Sequence, residues 1–244
     1  PVPCGLRIGG CRPMSFCETQ RTRLAPLWDR MLSHPFLLQT RDGTIPHETF
    51  ASWMRQDYLF VEAAIPFLAA LIPKGPASHW EPMTQAIGAL IRELRLFEER
   101  ADAVGVEIRG TQPSFTTHAY IQFLLATAQN ASYEEAYTVL YAAERAYHDS
   151  WRMVRDGLER SSPWWPFVEN WAGPEFAAYV AYLEVELDKL AAEAGPDRLH
   201  RMVEAFETTV RYEIAFWEMA MTGEGWPGIP STNQAMTSRD ERER

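Results

Sequence analysis

Residues 50–68, FASWMRQDYLFVEAAIPFL, carry the pattern that decides the fold. Apolar side chains recur in this stretch at spacings of three and four residues, namely at Phe50, Trp53, Met54, Phe60, Val61, Ala64 and Leu68. This is the period of an α-helix that buries one face. Asp57 falls in the middle of that apolar face. The stretch therefore predicts a core helix with a carboxylate on its buried side.

The helical period continues along most of the chain, and no run of alternating Val, Ile and Thr indicates a sheet. The sequence therefore predicts an all-α fold. Helices are expected at residues 15–33, 47–72, 79–104, 115–128, 133–159, 174–194 and 196–222. Stretches with Pro or Gly separate them, such as PKGP (73–76) and SSPWWP (161–166). No internal repeat or change of composition marks a linker, so we expect one domain over residues 15–226.

The two ends of the chain lack this period. Residues 1–14 are rich in Gly and Pro, and residues 227–244 have no apolar pattern, so both segments are expected to be disordered. The three cysteines, Cys4, Cys11 and Cys17, all lie near the N-terminus. An odd, clustered set argues against a disulfide framework and fits a reducing cytosol. We therefore expect a cytoplasmic protein.

The composition and net charge of the chain indicate which classes of partner it can bind. A net charge of −10 and a pI near 5.1 argue against binding to nucleic acid or to anionic membranes, which need basic patches. The longest uncharged apolar run, residues 63–73, contains two prolines and is too short to span a bilayer. Nine Trp, twelve Phe and nine Tyr suit a pocket with aromatic walls. The chain is therefore expected to bind a small molecule, without nucleic acid or membrane.

Two more carboxylates interrupt apolar stripes in the same way as Asp57. Glu144 shares a helical stripe with Leu140, Tyr147, Trp151 and Val154. Glu213 shares one with Val203, Phe206, Val210, Trp217 and Ala220. Burying an ionised carboxylate costs several kcal/mol unless it is paired, and a single case is usually a stripe edge or an ion pair. Three such carboxylates, on three helices of one bundle, are expected to converge on one cavity, with Tyr120 and Trp171 on its wall.

Converging acids could bind a metal or a small planar base. Glu144 and His148 have the i, i+4 spacing of a chelating pair, but Glu213 has no His three or four residues away. A di-iron site is therefore disfavoured, and no metal or cofactor is expected. A carboxylate can instead accept from the exocyclic amine of a base, and a protonated acid can donate to a ring nitrogen. Tyr and Trp side chains would stack on the ring.

Four motifs together resemble the TenA/thiaminase II family, and the resemblance covers about residues 17–226. They are HPF (34–36), RDGTIPHETFASWMRQDY (41–58), TTHAY (116–120) and RYEIAFWEMAMTGEGW (211–226). The resemblance implies a haem oxygenase-like all-α bundle of about seven to eight helices, assembled as a homo-oligomer, either dimer or tetramer. It also implies action on aminopyrimidines in thiamin salvage.

The resemblance also implies roles for particular residues. Asp57 matches the family aspartate that holds the aminopyrimidine, Glu213 matches the acid/base glutamate, and Tyr120 matches a pocket tyrosine. Two positions depart from the family pattern: Phe60 stands in place of a common tyrosine, and Ala142 in place of the nucleophilic cysteine.

The pattern AAE-x-x-Y-x-x-SW (142–151) is similar to the TenA-E branch, in which Glu144 would take over from the missing cysteine. The implied reaction is hydrolysis of 4-amino-5-aminomethyl-2-methylpyrimidine, or of its formylamino form, to the hydroxymethyl pyrimidine. The residues expected to border the ring are Phe60, Tyr120, Tyr147, Trp171 and Tyr212. The alternatives are a haem oxygenase-like di-iron oxidase and a non-catalytic pyrimidine-binding relative.

Overall fold

The structure, a computed structural model, describes residues 14–228 and consists of ten α-helices joined by short connections. The helices are α1 (Phe16–Arg23), α2 (Ala25–Leu32), α3 (Pro35–Arg41), α4 (His47–Leu71), α5 (Trp80–Val104), α6 (Phe115–Asn130), α7 (Tyr133–Arg155), α8 (Trp165–Ala172), α9 (Pro174–Glu193) and α10 (Pro196–Thr222). Two 3₁₀ turns, Ile72–Lys74 and Ala77–His79, link α4 to α5. Residues 14–228 contain no strand, which confirms the predicted all-α fold.

The helix count exceeds the predicted seven to eight because three short helices were not resolved by the sequence pattern. The expected helix at residues 15–33 is two helices that meet at Leu24, because Pro26 lacks an N–H group and its ring disfavours a continuous helix. Helix α3 begins at Pro35 behind the N-cap His34, whose Nδ1 accepts from the backbone N–H of Phe36. Helix α8 follows directly from the Pro-rich corner at residues 161–166.

The ends of the long helices follow local capping signals. Ser114 and Ser132 accept hydrogen bonds from backbone N–H groups in the first turns of α6 and α7. Gly105 and Gly223 end α5 and α10 in the left-handed conformation that glycine adopts at low cost. The caps fix where α6, α7 and α10 start or stop, and hence which side chains face inward.

A cluster of tryptophans holds the centre of the bundle. Helix α10 packs against α7 and α4, α4 packs against α5 and α6, and α7 packs against α8 and α9. Trp151 of α7 lies 4.9 Å from Trp53 of α4, 5.4 Å from Trp171 of α8 and 5.8 Å from Trp217 of α10, measured between ring centroids. Aromatic pairs at such distances stabilise packing beyond the area they bury. The cluster therefore fixes four helices around one point.

Helix α4 and the turn after it, His47–Lys74, are long and apolar enough to cross a membrane by length and composition. This is weak support for a membrane span, because the core helix of a globular bundle meets the same test. Phe50, Trp53 and Asp57 of this helix are fully buried among the other helices.

The predictions for the two chain ends and for the cysteines fall mostly on residues outside the described range. The disorder expected at residues 1–14 and 227–244 falls almost entirely on residues 1–13 and 229–244, which lie outside the described residues. Cys4 and Cys11 also lie outside them. Cys17 is buried at the start of α1 as a free thiol.

Candidate active site

The three predicted carboxylates line one cavity, which we call the inner cavity. Asp57 of α4, Glu144 of α7 and Glu213 of α10 lie on its wall, together with a fourth acid, Glu93 of α5. The volume of the inner cavity is about 60 Å³. Its apolar lining includes Val61, Ala64, Leu90, Leu124, Leu140 and Ala143. Among the described residues that line it there is no lysine, arginine or histidine.

Asp57 is fully buried and has one bonded and one free oxygen. Tyr147 donates its hydroxyl hydrogen to Asp57 Oδ1 at 2.5 Å, and Trp53 Nε1 donates to the same tyrosine oxygen at 3.2 Å. Asp57 Oδ2 has no hydrogen-bond partner among the described residues. Burial raises the pKa of Asp57 well above its usual range, against the lowering effect of the Tyr147 hydrogen bond. The free oxygen is therefore available to a ligand.

Glu213 repeats this arrangement on helix α10. The side chain is 1% exposed, and Tyr120 of α6 donates to its Oε1 at 2.6 Å. Glu213 Oε2 has no hydrogen-bond partner among the described residues. Burial raises the pKa of Glu213 to about 8, while the Tyr120 hydrogen bond lowers it. At neutral pH this carboxyl group can thus gain or lose a proton.

Glu144 and Glu93 are partly accessible because their side chains face the cavity. Burial, then the charges of Glu93 and Glu213, raise the pKa of Glu144 to about 8. Burial also raises the pKa of Glu93 to about 7, and Asn170 of α8 donates a hydrogen bond to its Oε2 at 3.1 Å. Burial thus raises the pKa of both groups to near neutrality, where each can bind or release a proton, and the neighbouring acids add to the shift of Glu144.

Of the aromatic residues predicted to border the ring, Phe60, Tyr147 and Trp171 line the inner cavity. Tyr120 lines a tight extension of it beside Phe60 and Glu213, and its ring lies 4.7 Å from that of Phe60. Tyr212 lies behind Tyr120, with the two rings parallel and 4.8 Å apart. Its position one residue before Glu213 rotates it away from the cavity by about 100°. Tyr212 thus supports the wall formed by Tyr120.

The alanine on the wall is Ala143, whereas Ala142 is fully buried in the core. These neighbours differ by about 100° around α7, so the position aligned with the family cysteine at Ala142 does not face the inner cavity. Cys17, the sole cysteine in the described part of the chain, lies in α1 and is absent from the cavity wall. The described lining of the cavity therefore offers carboxyl groups and no thiol.

A larger space of about 540 Å³, which we call the outer chamber, adjoins the inner cavity. The two share Leu90, Glu93, Glu144 and Trp171. Helix α9 adds Glu175, Phe176 and Tyr179 to the chamber, and α5 adds Arg92. The inner cavity thus has a wider compartment in front of it, and the two acids lie at the junction.

The di-iron oxidase considered above would need a group of His and carboxylate side chains that can bind iron. Within residues 14–228, no three His, Cys, Asp or Glu side chains are placed so that they could hold one metal ion. His148, which shares a helix face with Glu144, is not part of the inner cavity and lies near Phe176 and Asp149. The described residues therefore give the di-iron oxidase no ligand set.

Glu93 was missed by the sequence prediction although the sequence carries its signal. It lies three residues after Leu90 and four before Phe97, in the apolar stripe of α5. This is the same pattern that identified Asp57. Tyr179 was also missed, because helix periodicity alone does not show that α9 borders the outer chamber.

Comparisons with known proteins show which family the chain belongs to. The sequence model of the TENA/THI-4/PQQC family matches residues 21–223. A probable bifunctional TENA-E protein of Glycine max is 24% identical over 216 residues, covering 86% of this chain and 94% of that relative. An aminopyrimidine aminohydrolase of Bacillus subtilis is 26% identical over 222 residues, covering 87% of this chain and 92% of the relative.

Comparison with solved structures identifies the same family and its fold. A TenA homologue from Pyrococcus furiosus superposes with a TM-score of 0.81 at 33% identity, over 84% of this chain and 99% of that one. A domain from Shewanella denitrificans with a haem oxygenase-like fold superposes with a TM-score of 0.70 at 14% identity, over 84% of this chain and 91% of that one. The second likeness concerns the fold alone, and it confirms the predicted haem oxygenase-like bundle.

Proposed function

Because the chain belongs to the TENA/THI-4/PQQC family, we propose that it is a thiaminase II-like aminopyrimidine hydrolase of thiamin salvage. Its substrate is 4-amino-5-aminomethyl-2-methylpyrimidine, which it converts with water to the hydroxymethyl pyrimidine and ammonia. The observation that carries this proposal is a cavity with aromatic walls, four carboxyl groups and no basic residue among its described lining. The name of the Bacillus subtilis relative, aminopyrimidine aminohydrolase, supports the same reaction class.

Asp57 binds the ring through its free oxygen. Burial raises the pKa of Asp57, so this group is protonated more readily than an exposed aspartate. In its neutral form Oδ2 can donate to a ring nitrogen and also accept from the exocyclic amine beside it. Tyr147 holds Oδ1 and fixes the plane of the carboxyl group. Phe60 and Trp171 line the same cavity and provide apolar surface for a planar ring.

Glu213 and Glu144 carry the proton transfers. With pKa values of about 8, both groups populate the acid and the base form near neutral pH, as general acid/base catalysis requires. Glu213 manages the proton on the ring nitrogen opposite Asp57, and Glu144 protonates the departing nitrogen or activates water. Because the described residues that line the cavity include no cysteine, we assign the proton transfers to its carboxyl groups.

A turnover assay tests the proposal. Purified protein receives the aminomethyl pyrimidine or thiamin in separate reactions, and the hydroxymethyl pyrimidine is followed by chromatography. We expect product from the aminomethyl compound and little from thiamin, because cleavage of thiamin in this family uses the cysteine. Product from neither compound would refute the enzyme assignment.

Two variants test the carboxylate roles. Glu144→Gln and Glu213→Gln should each reduce kcat roughly 10²- to 10⁴-fold while circular dichroism shows an unchanged helix content. The matched control is Glu204→Gln, an exposed glutamate on the same helix as Glu213, which should turn over normally. Normal turnover in either cavity variant would remove that residue from the mechanism.

A further inference from the structure

The junction between the inner cavity and the outer chamber places two acids from different helices next to each other. Glu93 of α5 and Glu144 of α7 line both spaces. Asp57 and Glu213 lie on the wall of the inner cavity and are not part of the chamber. A ring held by Asp57 and Glu213 would therefore direct any substituent that reaches toward the chamber between Glu93 and Glu144.

Among the described residues, the four acids have no cationic partner in this cavity. Hydrogen bonds to them come from neutral groups, namely Tyr147, Tyr120 and Asn170. Glu144 receives no hydrogen bond from the described residues. The chamber contributes one cation, Arg92, but it also contributes a further acid, Glu175. A ligand that brings a positive charge would thus supply the one interaction that the protein itself does not provide.

Two buried oxygens without a partner among the described residues are a separate observation that favours a polar ligand in this cavity. Asp57 Oδ2 and Glu213 Oε2 are buried without a partner among the described residues, and both residues line the inner cavity. Buried polar atoms are normally paired, and exceptions mark sites that a ligand completes. The ring would satisfy these two atoms, which leaves Glu93 and Glu144 for the substituent.

We propose that Glu93 is a specificity-determining residue that binds the leaving amine as an ammonium group and thereby selects the aminomethyl pyrimidine over its N-formyl derivative. This inference rests on the proposed function. A primary alkyl amine is protonated at neutral pH, as lysine is, whereas its formyl derivative is an uncharged amide. Only the amine therefore gains from a second carboxylate at the junction.

The reaction balances with the ammonium form as the bound species. The C–N bond breaks, its electron pair goes to nitrogen, and the amine leaves as ammonia. The oxygen of water forms the new bond to the methylene carbon, and the proton released from water passes to Glu144. Glu93 remains a binding group throughout. The neighbouring acids already raise the pKa of Glu144, so a bound cation between the two also offsets their mutual repulsion.

A purely structural role for Glu93 predicts a different result. Its hydrogen bond with Asn170 links α5 to α8, so removing it would loosen the wall for every substrate alike. The variant Glu93→Gln separates the two roles, because glutamine retains the size and an oxygen acceptor for Asn170 but loses the charge. The matched control is Glu99→Gln, an exposed glutamate on the same helix.

The experiment measures kcat/KM for the aminomethyl compound and for its N-formyl derivative with wild type and both variants. We expect wild type to prefer the amine. Glu93→Gln should lose roughly 10- to 100-fold on the amine, mainly through KM, and should change little on the formyl compound. Glu99→Gln should match wild type on both. An equal loss on both compounds, or a wild-type preference for the formyl compound, would overturn the inference.

A binding measurement tests the role of Glu93 even if the protein turns over neither compound. If neither compound is turned over, the proposed function fails, and isothermal titration of both compounds into wild type and Glu93→Gln decides the inference. Tighter binding of the amine by wild type, lost in Glu93→Gln, supports it. Equal binding of the two compounds refutes it.

Discussion

Asp57 and Glu213 share a design in which a tyrosine holds one carboxyl oxygen and the other is left free. The tyrosine fixes the orientation of the acid and favours its charged form, while burial favours the neutral form. Each free oxygen costs the empty protein about 1–3 kcal/mol of hydrogen bonding, which a ligand with matching donors regains. The two acids are therefore oriented before the ligand arrives.

The hydroxyl of Tyr120 should control the pH dependence of catalysis. Its hydrogen bond lowers the pKa of Glu213, so Tyr120→Phe removes that effect and leaves burial to raise the pKa further. The limb of the kcat/KM profile that reports Glu213 should move to higher pH. The measurement is kcat/KM for the aminomethyl pyrimidine between pH 6 and 10.

Tyr212→Phe is the matched control for this prediction. Its ring stacks on Tyr120, and its hydroxyl forms no hydrogen bond with the described residues, so the phenylalanine keeps the stacking contact. The pH profile of this variant should be that of wild type. A profile that stays in place in Tyr120→Phe, or moves equally in both variants, would contradict the assigned role of the hydroxyl.

For single residues, the sequence predicts which acids lie on buried helix faces, but it does not predict which side chains they contact. Asp57, Glu144 and Glu213 stand out because each interrupts an apolar stripe, and Glu93 does so in the same way. Tyr212 is predicted to border the ring, but adjacent residues of a helix point in different directions, and Tyr212 lies behind Tyr120 instead. Helical periodicity shows on which face of its helix a residue lies. Which other helix packs against that face is decided by the tertiary packing.

At the scale of elements, the connection between α8 and α9 sets the position of Trp171. Gly173 lies between the two helices, and Pro174 begins α9. A Cβ atom at Gly173 would lie 2.6 Å from the backbone oxygen of Glu169, closer than real Cβ contacts. The sequence predicts that a helix starts at residue 174, which agrees with the structure, but it does not predict the close approach, which depends on how α8 ends.

Gly173→Ala should therefore destabilise the protein by about 1–3 kcal/mol, as overpacking usually does. Because the clash is with backbone, α8 must shift, and Trp171 should move with it and raise KM. The measurements are urea denaturation and the KM of the aminomethyl pyrimidine.

Gly195→Ala provides the matched control. Gly195 also precedes a helix that starts with proline, with nearly the same backbone angles, but a Cβ atom there would meet nothing within 4 Å. Its stability should stay within about 0.5 kcal/mol of wild type. Equal stability of the two variants would show that the contact with Glu169 is relieved at no cost.

At the scale of the whole molecule, the site exists because distant parts of the chain meet. Tyr147 is 90 residues from Asp57, and Tyr120 is 93 residues from Glu213. Local signals such as Ser132 and Pro196 predict where helices begin, and these positions agree with the structure. They carry no information on which helix faces meet, so the size of the inner cavity and the junction with the chamber could not be predicted.

The buried acids should make stability depend on pH in a specific direction. Burial raises the pKa of Glu213 from an ordinary value of 4.5 to about 8, so the folded protein binds this proton more tightly than the unfolded chain. The resulting stabilisation is fully present below about pH 4.5 and is lost as pH rises toward 8. Glutamine does not titrate, so Glu213→Gln lacks this dependence.

The quantity to measure is the difference in unfolding free energy between wild type and Glu213→Gln, from urea denaturation at several pH values and constant ionic strength. Wild type should lose stability relative to the variant by up to about 1.4 kcal/mol per pH unit between the two pKa values. Glu204→Gln, exposed on the same helix, should track wild type across this range. Parallel curves for wild type and Glu213→Gln would mean that Glu213 is as easily ionised in the fold as in water, which its burial beside Glu144 and Asp57 opposes.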